Sequence, residues 1–171
     1  MKHQEQKYRV DNFDPIVQKL TSLGAQPGHE STSTHYYAVV PGNDVVKVVA
    51  HADQCEIHKL SETDGGKFVL TDRFPVADVK AGLKWLKDQG YTQVSSVAMR
   101  HTDYEYAGGL VGLYDINGEL KSLILDYPAG KHDAMAQTLG VEGAEHIEVP
   151  PYNIYLEQRG LLNPADIEAL L

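Results

Sequence analysis

Four polar or ionisable residues recur at every second position near the start of the chain: His3, Glu5, Lys7 and Arg9. Alternate side chains of an extended strand share a face. This segment therefore carries an imidazole, a carboxylate, an ammonium and a guanidinium on one side, and Gln4, Gln6, Tyr8 and Val10 on the other. A core-facing strand side is normally apolar. A side charged throughout either meets water, protecting an edge strand from unwanted pairing, or lines a polar cavity. The residue types limit what such a cavity can do. Lysine is a compact point charge and arginine a planar fork suited to two oxygens of one anion. A carboxylate suits hard cations such as magnesium, whereas an imidazole suits transition metals better.

Further cations fall in extended-looking segments: Lys47, Lys59, Lys67, Arg73 and Arg100. Lys67 and Arg73 alternate against Phe68, Leu70 and Phe74, which predicts that they share a polar side. Taken singly, Lys47 and Lys59 read more readily as solvated lysines than as phosphate ligands, and Arg100 with Tyr104 as a cross-strand contact. The remaining histidines (His29, His35, His51, His58, His101, His132 and His146) show no ligand spacing such as His-Glu-x-x-His. His35 and His58 approach one another only if their strands pair. Cys55 reads as a small buried residue. Gly108-Gly109 reads as a turn, because no Lys-Ser/Thr follows as in a phosphate loop. The ten tyrosines read mainly as packing, although an inward Tyr36 or Tyr104 has the chemistry to bond a phosphate or stack a base.

At 171 residues the chain has the length of a single domain, 1–171, able to bury a substantial core. A net charge of −9 argues against nonspecific nucleic-acid or membrane-surface binding. It leaves room for a basic interior. The single cysteine permits no intrachain disulfide and fits a cytoplasmic location. No apolar run reaches membrane-spanning length. Monomer and homodimer are both compatible with the sequence.

The elements that position these residues alternate between strand and helix patterns. Asp11 or Asn12 is placed to cap a helix over roughly 14–23, with Ile16, Val17, Leu20 and Leu23 inward and Gly24 as its stop. Strands are predicted over 31–40, 45–50, 56–60 and 67–74, with a turn at Pro41-Gly42-Asn43-Asp44 and a polar hairpin loop over 61–66. Pro75, Val76 and Asp78 open a helix to about Gln89, with Val79, Leu83, Trp85 and Leu86 inward and Gly90 closing it. One long or bent strand follows over 92–106. Two more, over 109–116 and 120–127, flank Asn117-Gly118, a strong type I′ hairpin signal. Helices are predicted over 132–139, stopped by Gly140, and over 150–160. Asn163-Pro164 caps a last helical turn. Seven or eight strands with helices after the first and fifth predict an α+β fold, with a closed or nearly closed antiparallel barrel.

Glu5, Lys7, Tyr8, Arg9 and Val10 match in register the Glu-x-Glu-x-Lys strand, with its following aromatic, Arg and Val, that opens the CYTH superfamily. That group comprises class IV adenylyl cyclases, thiamine triphosphatases and other triphosphate tunnel metalloenzymes. His3 stands in place of the first glutamate. The resemblance extends along most of the chain. Thr34-His35-Tyr36-Tyr37 resembles an Asp-x-Tyr-Phe segment, and Val46-Lys47-Val48-Val49 a Leu-Arg-Ile-Arg strand. His58-Lys59-Leu60 is similar to Tyr-Lys-Gly, and Val69-Leu70-Thr71-Asp72-Arg73 to Arg-x-Glu-x-Glu with neither glutamate retained. Ala98-Met99-Arg100 resembles Lys-x-Arg, and Pro151-Tyr152-Asn153-Ile154-Tyr155-Leu156 the terminal helix. Asp115, Glu119 and Asp126 approximate the acids of the later hairpin.

The resemblance implies a CYTH-like tunnel that takes a small-molecule triphosphate or nucleotide with Mg2+ or Mn2+. Lys7, Arg9, Lys47, Lys59, Lys67, Arg73 and Arg100 would bind phosphate. Glu5, Asp115 and Asp126 would hold the metal. Glu5, Lys7 and Arg100 form the expected catalytic set, with Arg100 stabilising charge on the leaving group. Acids are lacking at His3, Thr34, Thr71 and Arg73. Metal-dependent triphosphate hydrolysis, ATP cyclisation, a non-catalytic phosphate-binding tunnel and an interaction scaffold therefore all remain open. Hydrolysis is favoured over cyclisation, which also needs residues that place a ribose hydroxyl.

Overall fold

The computed structural model describes residues 3–38, 44–63, 67–148 and 164–171. The predicted turn at 41–44 and helix over 150–160 lie wholly or largely outside these residues, as does Asn163. The elements in order are β1 (His3–Val10), α1 (Asp14–Ser22), β2 (Gln26–Ala38), β3 (Val45–Ala50), β4 (Cys55–Thr63), β5 (Lys67–Val76), α2 (Val79–Asp88), β6 (Gln93–Tyr106), β7 (Gly109–Ile116), β8 (Leu120–Pro128), α3 (His132–Leu139), β9 (His146–Ile147), β10 (Ala165–Asp166) and α4 (Ile167–Leu170). Contacts group them into two compact units, and β2 and β6 run through both.

The first unit holds residues 3–31 and 100–148. Its strands lie in the order β2, β6, β7, β8, β1, β9. Within it, β1 pairs antiparallel with β8 along its whole length and with β9 over two residues. Tyr8, Leu123, Leu125 and Tyr127 on one sheet face pack with Ile16 and Leu20 of α1 and Met135, Ala136 and Leu139 of α3. That helix-covered face is why the other side of β1 is free to be polar. Asn12 accepts a hydrogen bond from the Asp14 amide through Oδ1 at 3.0 Å, close to its expected capping role. The two hairpin turns are of one kind: φ is positive at Asn117 and Gly118, and again at Ala107 and Gly108.

The second unit holds the described residues of 32–99 and 164–171. Strands β5, β4, β3 and β2 form an antiparallel ladder in that order. Val48, Ile57, Leu83, Leu86, Val94 and Ile167 form its core. Helix α2 begins at Val79 because Asp78 caps it, its Oδ1 accepting from the Ala81 amide at 2.8 Å. Pro75 and Val76, predicted to open that helix, instead finish β5 opposite Glu56 and Cys55.

The fold class is α+β, with an antiparallel sheet and flanking helices after the first and fifth strands, as expected. Neither unit's ladder closes on itself by hydrogen bonds among the described residues, so the fully bonded ring is not the form observed. Among the described residues ten strands are present rather than seven or eight, two of them being the two-residue β9 and β10. The tail also departs from expectation. Ala165 and Asp166 pair with Val94 and Gln93 of β6, and helix begins only at Ile167.

Candidate functional site

Two polar sheet faces stand out, one in each unit. In the first, strand register fixes three rows. Glu5 stands opposite Asp126, which stands opposite Leu110. Lys7 stands opposite Ile124 and that residue opposite Gly112. Arg9 stands opposite Ser122 and that residue opposite Tyr114. The groups are tied by short polar contacts. Lys7 Nζ lies 3.2 Å from Glu5 Oε2, and His3 Nδ1 lies 3.5 Å from Asp126. Arg9 Nε lies 3.4 Å from Glu145, whose carbonyl accepts the Arg9 amide at 2.8 Å. Beyond Gly112 and Tyr114, Asp103 accepts from His101 Nε2 at 2.6 Å, and the His101 ring stacks on Tyr114 with 4.1 Å between centroids. Burial, helped by the Asp103 and Glu5 carboxylates, pushes the Tyr114 hydroxyl well above the usual tyrosine range, so it stays a proton donor.

The second unit's polar face gathers Ser33, His35, Tyr37, Lys47, Glu56, His58 and Arg73. Lys47 pairs with Tyr37 on one side and His58 on the other, and all three share that face. Lys47 is buried, and desolvation lowers its pKa to about 8. Its ammonium donates to His35 Nδ1 at 3.1 Å. The His35 proton therefore sits on Nε2, which donates to Ser33 Oγ at 2.9 Å. Burial, then the Lys47 charge, takes the His35 pKa down to about 3, so this imidazole is neutral at physiological pH. Glu56 accepts from Arg73 Nε at 2.9 Å and Nη2 at 2.8 Å, and contacts His58 Nε2 at 3.1 Å. The Arg73 bonds hold the Glu56 carboxyl below its usual range despite burial.

The predicted residues divide along these faces. Glu5, Lys7, Arg9 and Asp126 share the first, and Lys47 and Arg73 share the second. Asp115 is opposite Lys121, which is opposite Val10, on the face away from Glu5. Lys59 is opposite Val46, with Nζ 5.2 Å from the Trp85 ring centre of α2 and 3.3 Å from Asp72. It therefore lies away from Lys47. Arg100 is exposed and grips Glu30 at 2.7 Å; it alternates against His101 and Asp103. Lys67 lies opposite Thr63 in the backbone ladder, and a bulge interrupts the alternation between it and Arg73 at Thr71. Tyr36 and Tyr104 pack against the two cores, whereas Tyr37 and Tyr114 occupy the polar faces.

Asp103 and Glu56 are polar-face carboxylates that the sequence reading does not single out, beside His101 and His58, which it weighs only for metal-ligand spacing. Their signal is parity: His101-x-Asp103 and Glu56-x-His58 each recur at every second residue. Among the described residues no three His, Cys, Asp or Glu side chains are grouped to hold a metal by themselves.

No protein-family model matches the chain, and no curated protein matches it in sequence. Solved structures do. The PH1012 protein of Pyrococcus horikoshii OT3 superposes with a TM-score of 0.69 at 20% identity, over 88% of this chain and 98% of that one. A putative adenylate cyclase from Vibrio parahaemolyticus gives 0.61 at 11% identity, over 86% and 94%. A putative adenylyl cyclase from Hippeastrum, described as having a dominant triphosphatase activity, gives 0.57 at 10% identity, over 92% and 96%. The fold, an antiparallel sheet with flanking helices, is shared in outline with these proteins. By its fold, this chain is similar to these proteins.

Proposed function

We propose that the chain is a triphosphate-tunnel phosphohydrolase-like protein that takes an inorganic, nucleoside or other organic triphosphate together with Mg2+ or Mn2+. The observation that carries this reading is the first polar face: Glu5 directly opposite Asp126, with Lys7 and Arg9 following on the same strand. Like charges placed directly across a ladder repel, and a cation relieves that repulsion. The two carboxylates fit an ion arriving with its phosphate, because magnesium is typically held by one or two carboxylates plus phosphate oxygens and water. When bound, that ion polarises phosphoryl oxygens.

The chain's own cations bind the phosphates. Lys7 and Arg9 donate to phosphoryl oxygens in exchange for Glu5 and Glu145. Taken by itself, the second unit's polar face carries Lys47, a charged ammonium below about pH 8, and Arg73, a guanidinium already oriented by Glu56. Lys59, Arg100 and Asp115 are left out of this set by the faces they occupy.

A second reading, phosphate binding without catalysis, is favoured by β5. Its Thr71 hydroxyl donates to the Lys59 carbonyl at 3.1 Å, and Asp72 pairs with Lys59 on the helix-covered face. That strand therefore brings neither residue to the polar side. Phosphate release from inorganic triphosphate and from ATP, measured with magnesium, manganese or chelator, separates the two readings. Metal-dependent release that is lost in Glu5→Gln supports the hydrolase. Binding without release supports the second reading.

A further inference from the structure

The first unit's polar face contains a pair that the phosphate and metal assignments do not use. His101 and Asp103 lie two residues apart on β6, joined at 2.6 Å, with side chains only 18% and 16% exposed. The imidazole is held from two further sides. Tyr114 stacks beneath it at an interplanar angle of 21°, and His29 meets its ring edge-on at 6.4 Å. Space for this packing comes from β7. A side chain at Gly112 would place its Cβ 2.9 Å from the Tyr114 ring and 3.3 Å from Asp103 Oδ1. Gly112 shares a row with Lys7 across β8, so the pair lies on the same sheet face as Lys7, with β7 and β8 between β6 and β1.

The tautomer follows from the bond. An ionised carboxylate only accepts, so the hydrogen shared with Asp103 sits on His101 Nε2, and Nδ1 is the ring nitrogen not engaged by this carboxylate. A carboxylate behind an imidazole, with the far nitrogen unprotonated, is the arrangement in which histidine takes a proton during a reaction. Glu5 and Asp126 do not duplicate this role, since they are paired with Lys7 and His3.

Building on the hydrolase reading, we propose that His101 is the general base that activates water on this face and that Asp103 is its positioning residue. A water oxygen forms the new bond to phosphorus, and one of its protons passes to His101 Nδ1. The bond from phosphorus to the bridging oxygen breaks, and its electron pair leaves with the departing phosphate. The proton then returns to solvent or to that product.

The test is steady-state hydrolysis of inorganic triphosphate with magnesium by wild type, His101→Gln, His101→Ala and Asp103→Asn, each checked for folding by circular dichroism. His101→Gln is expected to lower kcat by about 10²–10⁴-fold and leave KM within about threefold. Added imidazole is expected to restore part of the kcat of His101→Ala. Ring ¹⁵N shifts are expected to report the Nε2–H tautomer in wild type and its loss in Asp103→Asn. A wild-type enzyme that turns over while His101→Gln keeps its kcat overturns this inference and leaves the hydrolase reading standing. A raised KM with unchanged kcat also overturns it, making His101 a ligand only. No turnover by wild type of inorganic triphosphate or of ATP, with magnesium or with manganese, overturns both.

Discussion

Glu5 and Asp126 stand directly opposite one another on adjacent antiparallel strands, each with a cationic or basic neighbour: Lys7 at 3.2 Å from one and His3 at 3.5 Å from the other. Two facing carboxylates on one polar sheet side are costly without a cation between them. Glu5→Gln and Asp126→Asn should therefore leave the melting temperature of the free protein nearly unchanged or slightly raised. Each should abolish the added stabilisation that magnesium gives over triphosphate alone. Thermal melts with triphosphate, with and without chelator, check this.

Lys47 and His35 make a pH-dependent pair. The His35 pKa falls from 6.5 unfolded to about 3 folded, so the unfolded chain binds more protons between these values. Stability should consequently decline as pH drops below about 6.5, by up to about 1.4 kcal/mol per unit. Lys47, lowered from 10.5 to about 8, makes stability rise as pH climbs from about 8 toward 10.5. Urea midpoints between pH 5 and 7 should show a shallower slope in His35→Gln than in wild type. An unchanged slope would contradict the buried neutral imidazole.

The Glu56–Arg73 bond ties β4 to β5 on the second polar face. Glu56→Ala should cost about 1–3 kcal/mol, since it leaves Arg73 and His58 without their acceptor. Arg73 is half exposed, so Arg73→Ala should cost less. A double-mutant cycle measured by urea unfolding should give a favourable coupling for this pair. Strictly additive losses would contradict it.

Gly82 lies in α2 facing β3, where an added Cβ would sit 2.7 and 2.9 Å from the two Val48 methyl carbons. Helix propensity alone favours alanine there by about 1 kcal/mol. Overpacking against a fully buried valine costs typically about 1–3 kcal/mol, and should win. Gly82→Ala is expected to lower the urea midpoint, and Gly82→Ala with Val48→Ala to recover part of the loss.

Much of this architecture is legible in the sequence. Strand β1 follows from the alternation of His3, Glu5, Lys7 and Arg9, the second hairpin from Asn117-Gly118, and α3 from its run into Gly140. The site is less legible because membership of a face depends on register, which one residue can invert. The loop after β3 sets Ala50 opposite Cys55, and this places Lys47 beside His58 and sends Lys59 to the other face. The bulge at Thr71 breaks the simple alternation between Lys67 and Arg73. Asp115 reads as a match to the hairpin acids, yet its register puts it beside Lys121. His101-x-Asp103 is visible as a pattern, but its meaning needs Tyr114 from the neighbouring strand.

The central claim is that the charged side of β1 binds triphosphate, and calorimetric titration of the full chain with inorganic triphosphate and magnesium tests it most directly. Wild type, Lys7→Ala and the surface control Lys84→Ala, whose side chain pairs with Asp88 on α2, are compared. The account predicts saturable binding by wild type and the control, and loss of binding in Lys7→Ala. Undiminished binding by Lys7→Ala would contradict it.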